Sequence, residues 1–313
     1  MASCRSLARQ PMEGRPVIID AHQHVWNLSR AEYPWLDAGM APIDRTMELS
    51  EIEPAMREAG VGATVLVQAA DNEADTANML RVADEHPQVV GVVAWVPLDE
   101  PDRAAIALDG LRGDDRVVGV RALIHTYADP EWILRPEVDE GLGLLESRGL
   151  TFDFVVASPA ALAVLPTVSA RHPGLSIVVD HLGKPPIGGS EAEHAVWREL
   201  IAAAASNPRV SAKVSGLYSA SGSLADWTLD TVRPFVADAL ELFGADRLMV
   251  GGDWPISVLA GGYERTWRAL LSIAGGLAPA EATALLGGTA TSVYGLAPER
   301  LAAAEALASN RVL

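Results

Sequence analysis

The feature that most constrains the fold of this chain is a repeated alternation between short apolar runs and segments with helical periodicity. The runs are rich in valine and isoleucine and bounded by Gly, Pro, Asp or Asn, which is typical of strands buried on both faces. They cover residues 17–22, 63–68, 89–96, 117–123, 151–156, 176–181, 210–216 and 247–253. Such an alternation predicts parallel strands joined by right-handed crossovers.

The helical segments complete eight strand–helix units. They cover 53–60, 75–86, 103–111, 138–148, 159–172, 191–206, 231–243 and 264–273, and further helices are predicted at 279–286 and 298–309. An open, doubly wound sheet can be built from the same units. The count of eight and the absence of a Gly-x-Gly-x-x-Gly turn after the first strand favour a closed barrel. The sequence therefore predicts an α/β fold, a single-domain (β/α)8 TIM barrel over 17–313 with extra C-terminal helices, preceded by a flexible tail at 1–16.

Loop lengths predict which end of the barrel carries the chemistry. Connections that enter strands are short, whereas several connections that leave strands are long. The long ones are 23–47, 124–137, 182–190, 217–229 and 254–263. In barrels of this kind the catalytic residues lie at the C-terminal ends of the strands, on the elaborated rim. We therefore expect the active site there.

The net charge of the chain limits the classes of partner that it can bind. A formal net charge of −17 repels phosphate backbones and anionic membrane surfaces, so we expect a small-molecule substrate and neither nucleic acid nor membrane. No apolar run is long enough to span a bilayer, and the first sixteen residues lack the apolar core of a secretory signal. We expect a cytoplasmic protein. Cys4 is the single cysteine, which excludes an intrachain disulfide, and the oligomeric state is left open.

Two histidines lie at the end of the first predicted strand, within Asp-Ala-His-Gln-His-Val-Trp at 20–26. His22 and His24 are two residues apart, so their side chains point to the same side of the strand. They can present two imidazoles to one point, as a metal ion or an oxyanion requires. The alternative is a chance pair in a loop, and the position at a strand end favours function.

The sixth predicted strand ends at a third imidazole, His181, with Lys184 on the loop just above it. Lys184 could meet an anionic group of a substrate there. The alternative is that Asp180 and His181 pair structurally and that Lys184 is solvated.

The eighth predicted strand ends at Asp253. A carboxylate at a barrel mouth, opposite several histidines, is a natural general base for water. A role as a helix N-cap is the alternative. Because a buried carboxylate is costly unless it has a task or a partner, we interpret Asp253 as catalytic together with His22, His24 and His181.

Other polar and aromatic residues at strand ends are candidates for substrate binding. Arg121 could hold a carboxylate or a carbonyl oxygen through its planar fork, or else form an ion pair with a neighbour such as Asp153. Lys213 could contact substrate or serve as a salt-bridge partner that lines the core. Tryptophan faces stack on sugar rings, and Trp is also an ordinary packing residue. The predicted substrate-binding residues are Gln68, Arg121, His125, Lys184, Lys213, Trp26 and Trp254.

Five motifs follow one another in the order of the strands. They are Asp-Ala-His-Gln-His-Val-Trp at 20–26, Tyr-Pro-Trp-Leu at 33–36, Val-Asp-His-Leu-Gly-Lys-Pro at 179–185, Gly-Asp-Trp-Pro at 252–255 and Leu-Leu-Gly-Gly-Thr-Ala-Thr-Ser-Val-Tyr-Gly-Leu at 285–296. This series resembles the amidohydrolase-related branch of the amidohydrolase superfamily, and the resemblance covers nearly the whole chain. Within that branch the chain is most similar to sugar-lactone hydrolases, such as L-fuconolactonases and L-rhamnonolactonases.

The resemblance implies a barrel hydrolase whose reaction centre is formed by His22, His24, His181 and Asp253. It also implies one divalent metal ion, Zn²⁺, that these same four residues could hold. The chain departs from the two-metal pattern of the superfamily, because Arg121 stands where a bridging Lys or Glu would end the fourth strand and the fifth strand ends without His. We therefore expect either one ion or a metal-free site in which the same groups donate hydrogen bonds, so the metal could be dispensable.

The expected reaction is the hydrolysis of an aldonolactone, in which Asp253 takes a proton from the attacking water. Two alternatives stay open at this point. One is a metal-dependent decarboxylase of an aromatic carboxylic acid on the same barrel. The other is a binding or scaffold protein that has kept the barrel and lost catalysis.

Overall fold

The computed structural model describes residues 17–129 and 131–310. The predicted tail at 1–16, including Cys4, lies outside the described residues. Within the described ranges no helix is both long and apolar enough to cross a lipid bilayer.

Eight parallel strands form one sheet in which each strand pairs with the next along the chain. They are β1 (Ile18–Gln23), β2 (Val61–Val67), β3 (Val89–Ala94), β4 (Val117–Arg121), β5 (Thr151–Phe154), β6 (Ile177–Val179), β7 (Val210–Val214) and β8 (Leu248–Val250). The sheet closes where Gln23, at the end of β1, forms a parallel bridge with Trp254, just beyond β8. The predicted (β/α)8 barrel is confirmed.

Helices alternate with the strands and surround the barrel. They are α1 (Leu49–Glu58), α2 (Glu73–Glu85), α3 (Pro101–Gly110), α4 (Pro136–Arg148), α5 (Pro159–Ala163), α6 (Leu165–Arg171), α7 (Glu191–Ala205), α8 (Leu229–Phe243), α9 (Tyr263–Ala274), α10 (Pro279–Thr283), α11 (Thr289–Val293) and α12 (Pro298–Asn310). Side-chain hydrogen bonds cap the N-termini of several helices. Asn72 accepts from the amide of Asp75 at the start of α2, and Ser190 accepts from that of Glu193 at the start of α7.

Two predicted helices differ from the structure. The single helix expected over 159–172 is divided into α5 and α6, because Pro166 has no amide hydrogen and its ring crowds the carbonyl four residues earlier. The helix expected over 279–286 ends at Thr283 and continues as a wider π-helical turn, Ala284–Gly288. Gly287 in that turn approaches the barrel so closely that a Cβ there would lie 2.5 Å from the carbonyl oxygen of Val17.

The lower end of the barrel is apolar and is covered by the C-terminal helices. Val65, Val90 and Ala304 of α12 belong to one buried cluster at this end. The upper end, formed by the C-terminal ends of the strands, carries the buried polar side chains described next. The extra C-terminal helices that the sequence predicts therefore close the floor, and they leave the upper end for the chemistry.

Candidate active site

The histidine pair at the end of β1 converges on one point. The Nε2 atoms of His22 and His24 are 3.1 Å apart, and both side chains are buried. The Nδ1 atom of His24 lies 2.7 Å from the carbonyl oxygen of Val67. A carbonyl oxygen can only accept, so Nδ1 of His24 carries a hydrogen and its Nε2 faces His22 and Asp253.

Asp253 joins this pair from the other side of the barrel closure. Its Oδ1 lies 3.4 Å from Nε2 of His24 and 3.7 Å from Nε2 of His22. Its backbone has φ 50°, a left-handed conformation that residues other than glycine rarely adopt. Burial alone would raise the pKa of Asp253, but the neighbouring His181 and the hydrogen bond with His24 hold it below the ordinary value. Asp253 is therefore ionised at neutral pH.

Two glycines before Asp253 allow this close approach. A Cβ on Gly251 would lie 2.5 Å from the Cβ of His22, and a Cβ on Gly252 would lie 2.7 Å from Oδ2 of Asp20. The buried Asp20 carboxylate accepts from the amide of Gly252 at 2.8 Å and from the hydroxyl of Tyr263 at 2.9 Å. Burial raises the pKa of Asp20 to about 6. Asp20 therefore ties β1 to the segment after β8, a role that the sequence analysis did not assign to it.

His181 stands beside the other three candidate ligands. Its ring centroid is 4.5 Å from that of His22, and its Nδ1 is 3.0 Å from the hydroxyl of Ser215. The expected four-ligand set is not one cluster. Ligand atoms of His22, His24 and Asp253 lie within 4.8 Å of one another, whereas His181 forms a second such group with His22 and Asp180. Burial lowers the pKa of His181 to about 4, so its ring is neutral at pH 7.

His181 does not end β6 but follows it in a left-handed turn, formed by residues 181–184. His181, Leu182 and Lys184 have φ values of 55°, 51° and 60°, and Gly183 has φ 67°. Each residue other than glycine costs about 1–2 kcal/mol in this conformation. Among the described residues, the one further non-glycine position with positive φ is Asp253. Backbone strain is thus concentrated at the candidate site, as is common where structure serves function.

A buried ion-pair network lies directly below the histidines. The Lys213 ammonium is 2.5 Å from Oδ2 of Asp153 and 3.0 Å from Oδ1 of Asp180. Tyr294 donates to the same Asp153 oxygen at 2.7 Å. Lys213 is completely buried and is a salt-bridge partner inside the core, one of the two roles that the sequence left open, and its contact with substrate stays a prediction.

The same network fixes the orientation of the His22 ring. Its Nδ1 lies 3.3 Å from Oδ1 of Asp180 and 3.1 Å from Nζ of Lys213. With a hydrogen on Nδ1 the ring donates to the carboxylate, and without one it accepts from the ammonium. Burial lowers the pKa of His22 well below its ordinary value, and Asp180 offsets only part of that effect. The ring is neutral at pH 7, and its Nε2 points to His24.

Arg121 and Gln68 form the adjoining wall. Arg121 donates from Nη1 to Oδ2 of Asp180 at 2.9 Å, from Nε to Oε1 of Gln68 at 3.2 Å, and from Nη2 to the Gln68 carbonyl oxygen. Its ion-pair partner is therefore Asp180 and not Asp153, which is a correction. Gln68 in turn donates to Oδ1 of Asp71 at 2.8 Å. Both side chains are buried beside the reaction centre with most of their polar atoms already engaged.

Lys184 and His125 are exposed at the mouth of the barrel. Partial dehydration by the surrounding loops lowers the pKa of His125, and the charges of Arg121 and Lys184 lower it further. The His125 ring is therefore neutral at pH 7, and Lys184 is the exposed cation of this pair.

The two candidate tryptophans, Trp26 and Trp254, are both buried. Trp26 is completely buried, packs edge-on against Trp35 and donates to the carbonyl oxygen of Arg45 at 2.6 Å. Trp26 packs inside the core in this structure, and its contact with substrate stays a prediction. Trp254 is also buried, and its carbonyl oxygen accepts from the amide of His24 at 2.7 Å.

The donor set of His22, His24 and Asp253 fits one metal ion. Nitrogen and oxygen ligands about 2.0–2.2 Å from a tetrahedral zinc ion lie about 3.4 Å apart. The three separations here are 3.1, 3.4 and 3.7 Å. Three protein ligands leave a fourth position for water or substrate, which is the pattern of catalytic rather than structural zinc. The hydrogen bond from Nδ1 of His24 to the carbonyl oxygen of Val67 would hold the ring so that Nε2 faces the metal ion.

Comparisons with known proteins agree with this architecture. The sequence model of the family described as Amidohydrolase matches residues 19–296. An L-fucono-1,5-lactonase from Burkholderia ambifaria is 37% identical over 247 residues, which cover 78% of this chain and 82% of that protein. An L-fucono-1,5-lactonase from Burkholderia multivorans is 32% identical over 294 residues, covering 89% and 96%. The crystal structure of an amidohydrolase from Burkholderia multivorans with bound zinc superposes with a TM-score of 0.83 at 31% identity, covering 90% of this chain and 100% of that chain.

Proposed function

The chain belongs to the amidohydrolase family, and we propose that it is a lactonase that hydrolyses the cyclic ester of a sugar acid. The observation that carries this proposal is one ionised carboxylate, Asp253, whose Oδ1 lies within 3.7 Å of the Nε2 atoms of the two imidazoles His22 and His24. A general base next to groups that can stabilise negative charge is what ester hydrolysis requires. The relatives named L-fucono-1,5-lactonase support a lactone, and their names support a 1,5-lactone as the first substrate to try.

Asp253 acts as the general base in this proposal. Its carboxylate accepts a proton from water while the water oxygen forms a bond to the lactone carbonyl carbon. When the tetrahedral intermediate collapses, the bond from that carbon to the ring oxygen breaks, and Asp253 returns the proton to the leaving alkoxide. The product is an open-chain hydroxy acid, which ionises and releases one proton to the solvent at neutral pH.

In this proposal His181 and Arg121 stabilise the oxyanion. When the Ser215 hydroxyl donates to Nδ1 of His181, the hydrogen of the neutral ring lies on Nε2 and can be donated to the oxyanion. Arg121 adds a fixed positive charge, because its guanidinium is held by Asp180 and Gln68. Neither residue has to reorganise during the reaction, which is the main source of such stabilisation.

The cofactor proposed for this site is one divalent ion, zinc in the first place, held by Nε2 of His22, Nε2 of His24 and Oδ1 of Asp253. When bound, such an ion polarises the lactone carbonyl or lowers the pKa of a water molecule. The second oxygen of Asp253 is still available as the base. Without the ion, the same imidazoles act as hydrogen-bond donors to the carbonyl oxygen. The two forms differ in whether a chelator abolishes turnover.

The sugar hydroxyls are proposed to form hydrogen bonds with Lys184 and His125, which are exposed at the mouth of the barrel. Gln68 and Trp254 are buried, and in this proposal they contact the part of the substrate that lies deepest. The Lys184 ammonium is also available to pair with the product carboxylate.

A pH-indicator assay on a panel of aldonolactones, with and without chelator, tests the proposal. Acid release well above the uncatalysed rate from at least one six-membered sugar lactone is expected. If every lactone fails and CO₂ is released from an aromatic carboxylic acid in the metal-loaded protein, the decarboxylase alternative replaces the lactonase. If neither reaction occurs, the protein is a binding or scaffold protein.

A further inference from the structure

The left-handed turn that carries His181 and Lys184 is energetically costly. Four successive residues of the turn have positive φ, and three of them are not glycine. L-amino acids visit this region as single residues and rarely in a run, so the surrounding structure must hold the turn in place. Which residue holds it decides how accurately His181 is placed.

Few contacts hold the turn in its left-handed conformation. The amide of Lys184 donates to the carbonyl oxygen of His181 at 3.0 Å. Gly183 is pressed against the helix layer, where a Cβ would lie 2.9 Å from the side chain of Leu162. The His181 ring lies against Gly216, where a Cβ would be 2.4 Å from its Nδ1. These contacts exclude other conformations sterically, but the carbonyl of Leu182 still needs a donor.

The donor comes from outside the barrel. The indole N–H of Trp197, on α7, donates to the carbonyl oxygen of Leu182 at 2.8 Å. Trp197 is buried in the helix layer, where its ring packs edge-on against Phe235 at 5.2 Å between centroids. Its side chain is therefore rigid, and it is bonded to the residue that directly follows His181.

We propose that Trp197 is a positioning residue, whose indole N–H locks the left-handed turn and thereby holds His181, and Lys184 beyond it, at the mouth of the barrel. This inference rests on the proposed function, because it assigns Trp197 an effect on turnover that passes through His181. Trp197 itself contacts no reacting atom in this scheme. The carbonyl of Leu182, deprived of its donor, would favour rotation of the peptide out of the left-handed region.

The test replaces Trp197 with Phe, which removes the N–H and keeps an aromatic ring in the helix layer. We expect kcat of Trp197→Phe to fall by about tenfold to a hundredfold, the loss typical of a catalytic group misplaced by about 1 Å. Trp227→Phe is the matched control, because Trp227 is also buried and donates to a loop carbonyl, that of Ala260 at 2.9 Å. The control is expected to lose similar thermal stability and to keep kcat within about twofold.

A double-mutant cycle separates positioning from general loosening of the fold. In a His181→Ala background, Trp197→Phe is expected to change the residual kcat by less than about twofold, because the residue it positions is gone. An equal loss of kcat in both backgrounds would overturn the proposal. So would a Trp197→Phe protein that turns over at the wild-type rate.

Two further measurements keep the outcome decisive. If Trp197→Phe does not fold, β-(3-benzothienyl)alanine at position 197 keeps the fused ring and removes only the N–H. The ¹⁵N NMR signals of the His181 ring are expected to shift in the Trp197 variants and to stay unchanged in Trp227→Phe. This readout needs no substrate, so it decides the role of Trp197 even if the wild-type protein hydrolyses no lactone. Unchanged His181 signals would overturn the proposal.

Discussion

The backbone amide of Asp253 donates to the carbonyl oxygen of His22 at 2.8 Å, and just beyond β1 the amide of His24 donates to the carbonyl oxygen of Trp254 at 2.7 Å. The barrel is therefore closed by the same residues that form the candidate reaction centre. The separation between the Asp253 carboxylate and the two imidazoles follows from main-chain hydrogen bonds, not from flexible side chains. A change that forces these two strands apart should impair stability and turnover together.

Gly251→Ala tests this coupling. The new Cβ would lie 2.5 Å from the Cβ of His22 and 3.0 Å from its amide nitrogen. We expect a loss of about 1–3 kcal/mol in the free energy of unfolding and a drop in kcat of about a hundredfold, measured by urea unfolding and lactone hydrolysis. Gly110→Ala is the control, since nothing lies within 4 Å of the added carbon. A Gly251→Ala protein with wild-type kcat would refute the coupling.

Lys213→Met tests the buried network below the histidines. Removing the ammonium leaves Asp153 and Asp180 without their shared partner, so we expect a loss of about 3–5 kcal/mol in the free energy of unfolding. The same substitution at the exposed Lys184 should change stability by less than about 0.5 kcal/mol and raise KM. If Lys213→Met instead raised KM and left stability unchanged, Lys213 would be a substrate contact after all.

Much of the barrel and the centre of the site could be predicted from the sequence. The period of the valine-rich runs determines the strand count, and strand ends bring His22, His24 and Asp253 to one rim. The partners of Lys213 and Arg121 could not be predicted, because ion pairing in a barrel depends on which side chains point inward from β4, β5, β6 and β7. The left-handed turn at 181–184 contains only one glycine and therefore gives no local signal. The burial of Trp26 depends on a loop whose path has no periodicity.

Zinc content tests the proposed ligand set. After loading with zinc and removal of free metal, we expect one ion per chain in the wild-type protein, measured by elemental analysis. His24→Ala should bind zinc at least about tenfold more weakly, because one of three protein ligands is lost. His194→Ala is the control, as His194 pairs with Asp238 in the helix layer. Two ions per chain, or unchanged affinity in His24→Ala, would contradict the assignment.

The buried carboxyl of Asp75 predicts a pH dependence of stability. It accepts from the amides of Ala69 and Ala70 and from the hydroxyl of Tyr33, and burial raises its pKa from 3.8 to about 6. Between pH 3.8 and about pH 6 the Asp75 carboxyl is therefore protonated in the folded state and ionised in the unfolded state. The contribution of Asp75 to stability is fully present below pH 3.8 and is lost as the pH rises through about 6.

Asp75→Asn isolates this effect, because an amide can accept from both backbone N–H groups and donate to Tyr33. Relative to the variant, the wild-type protein is expected to gain roughly 1.4 kcal/mol in the free energy of unfolding between pH 7.5 and pH 5. Urea titrations at the two pH values measure the difference. No gain between the two pH values would show that Asp75 is ionised in the folded protein across this range.

The most direct test of the whole account compares initial rates of acid release from a six-membered sugar lactone by the wild-type protein and by Asp253→Asn. The substitution keeps the size of the side chain and removes the base. The account predicts rapid hydrolysis by the wild-type protein and a kcat about 10²–10⁴ lower in the variant, with an unchanged fold by circular dichroism. Near wild-type turnover by Asp253→Asn would contradict the central claim that this carboxylate activates the attacking water.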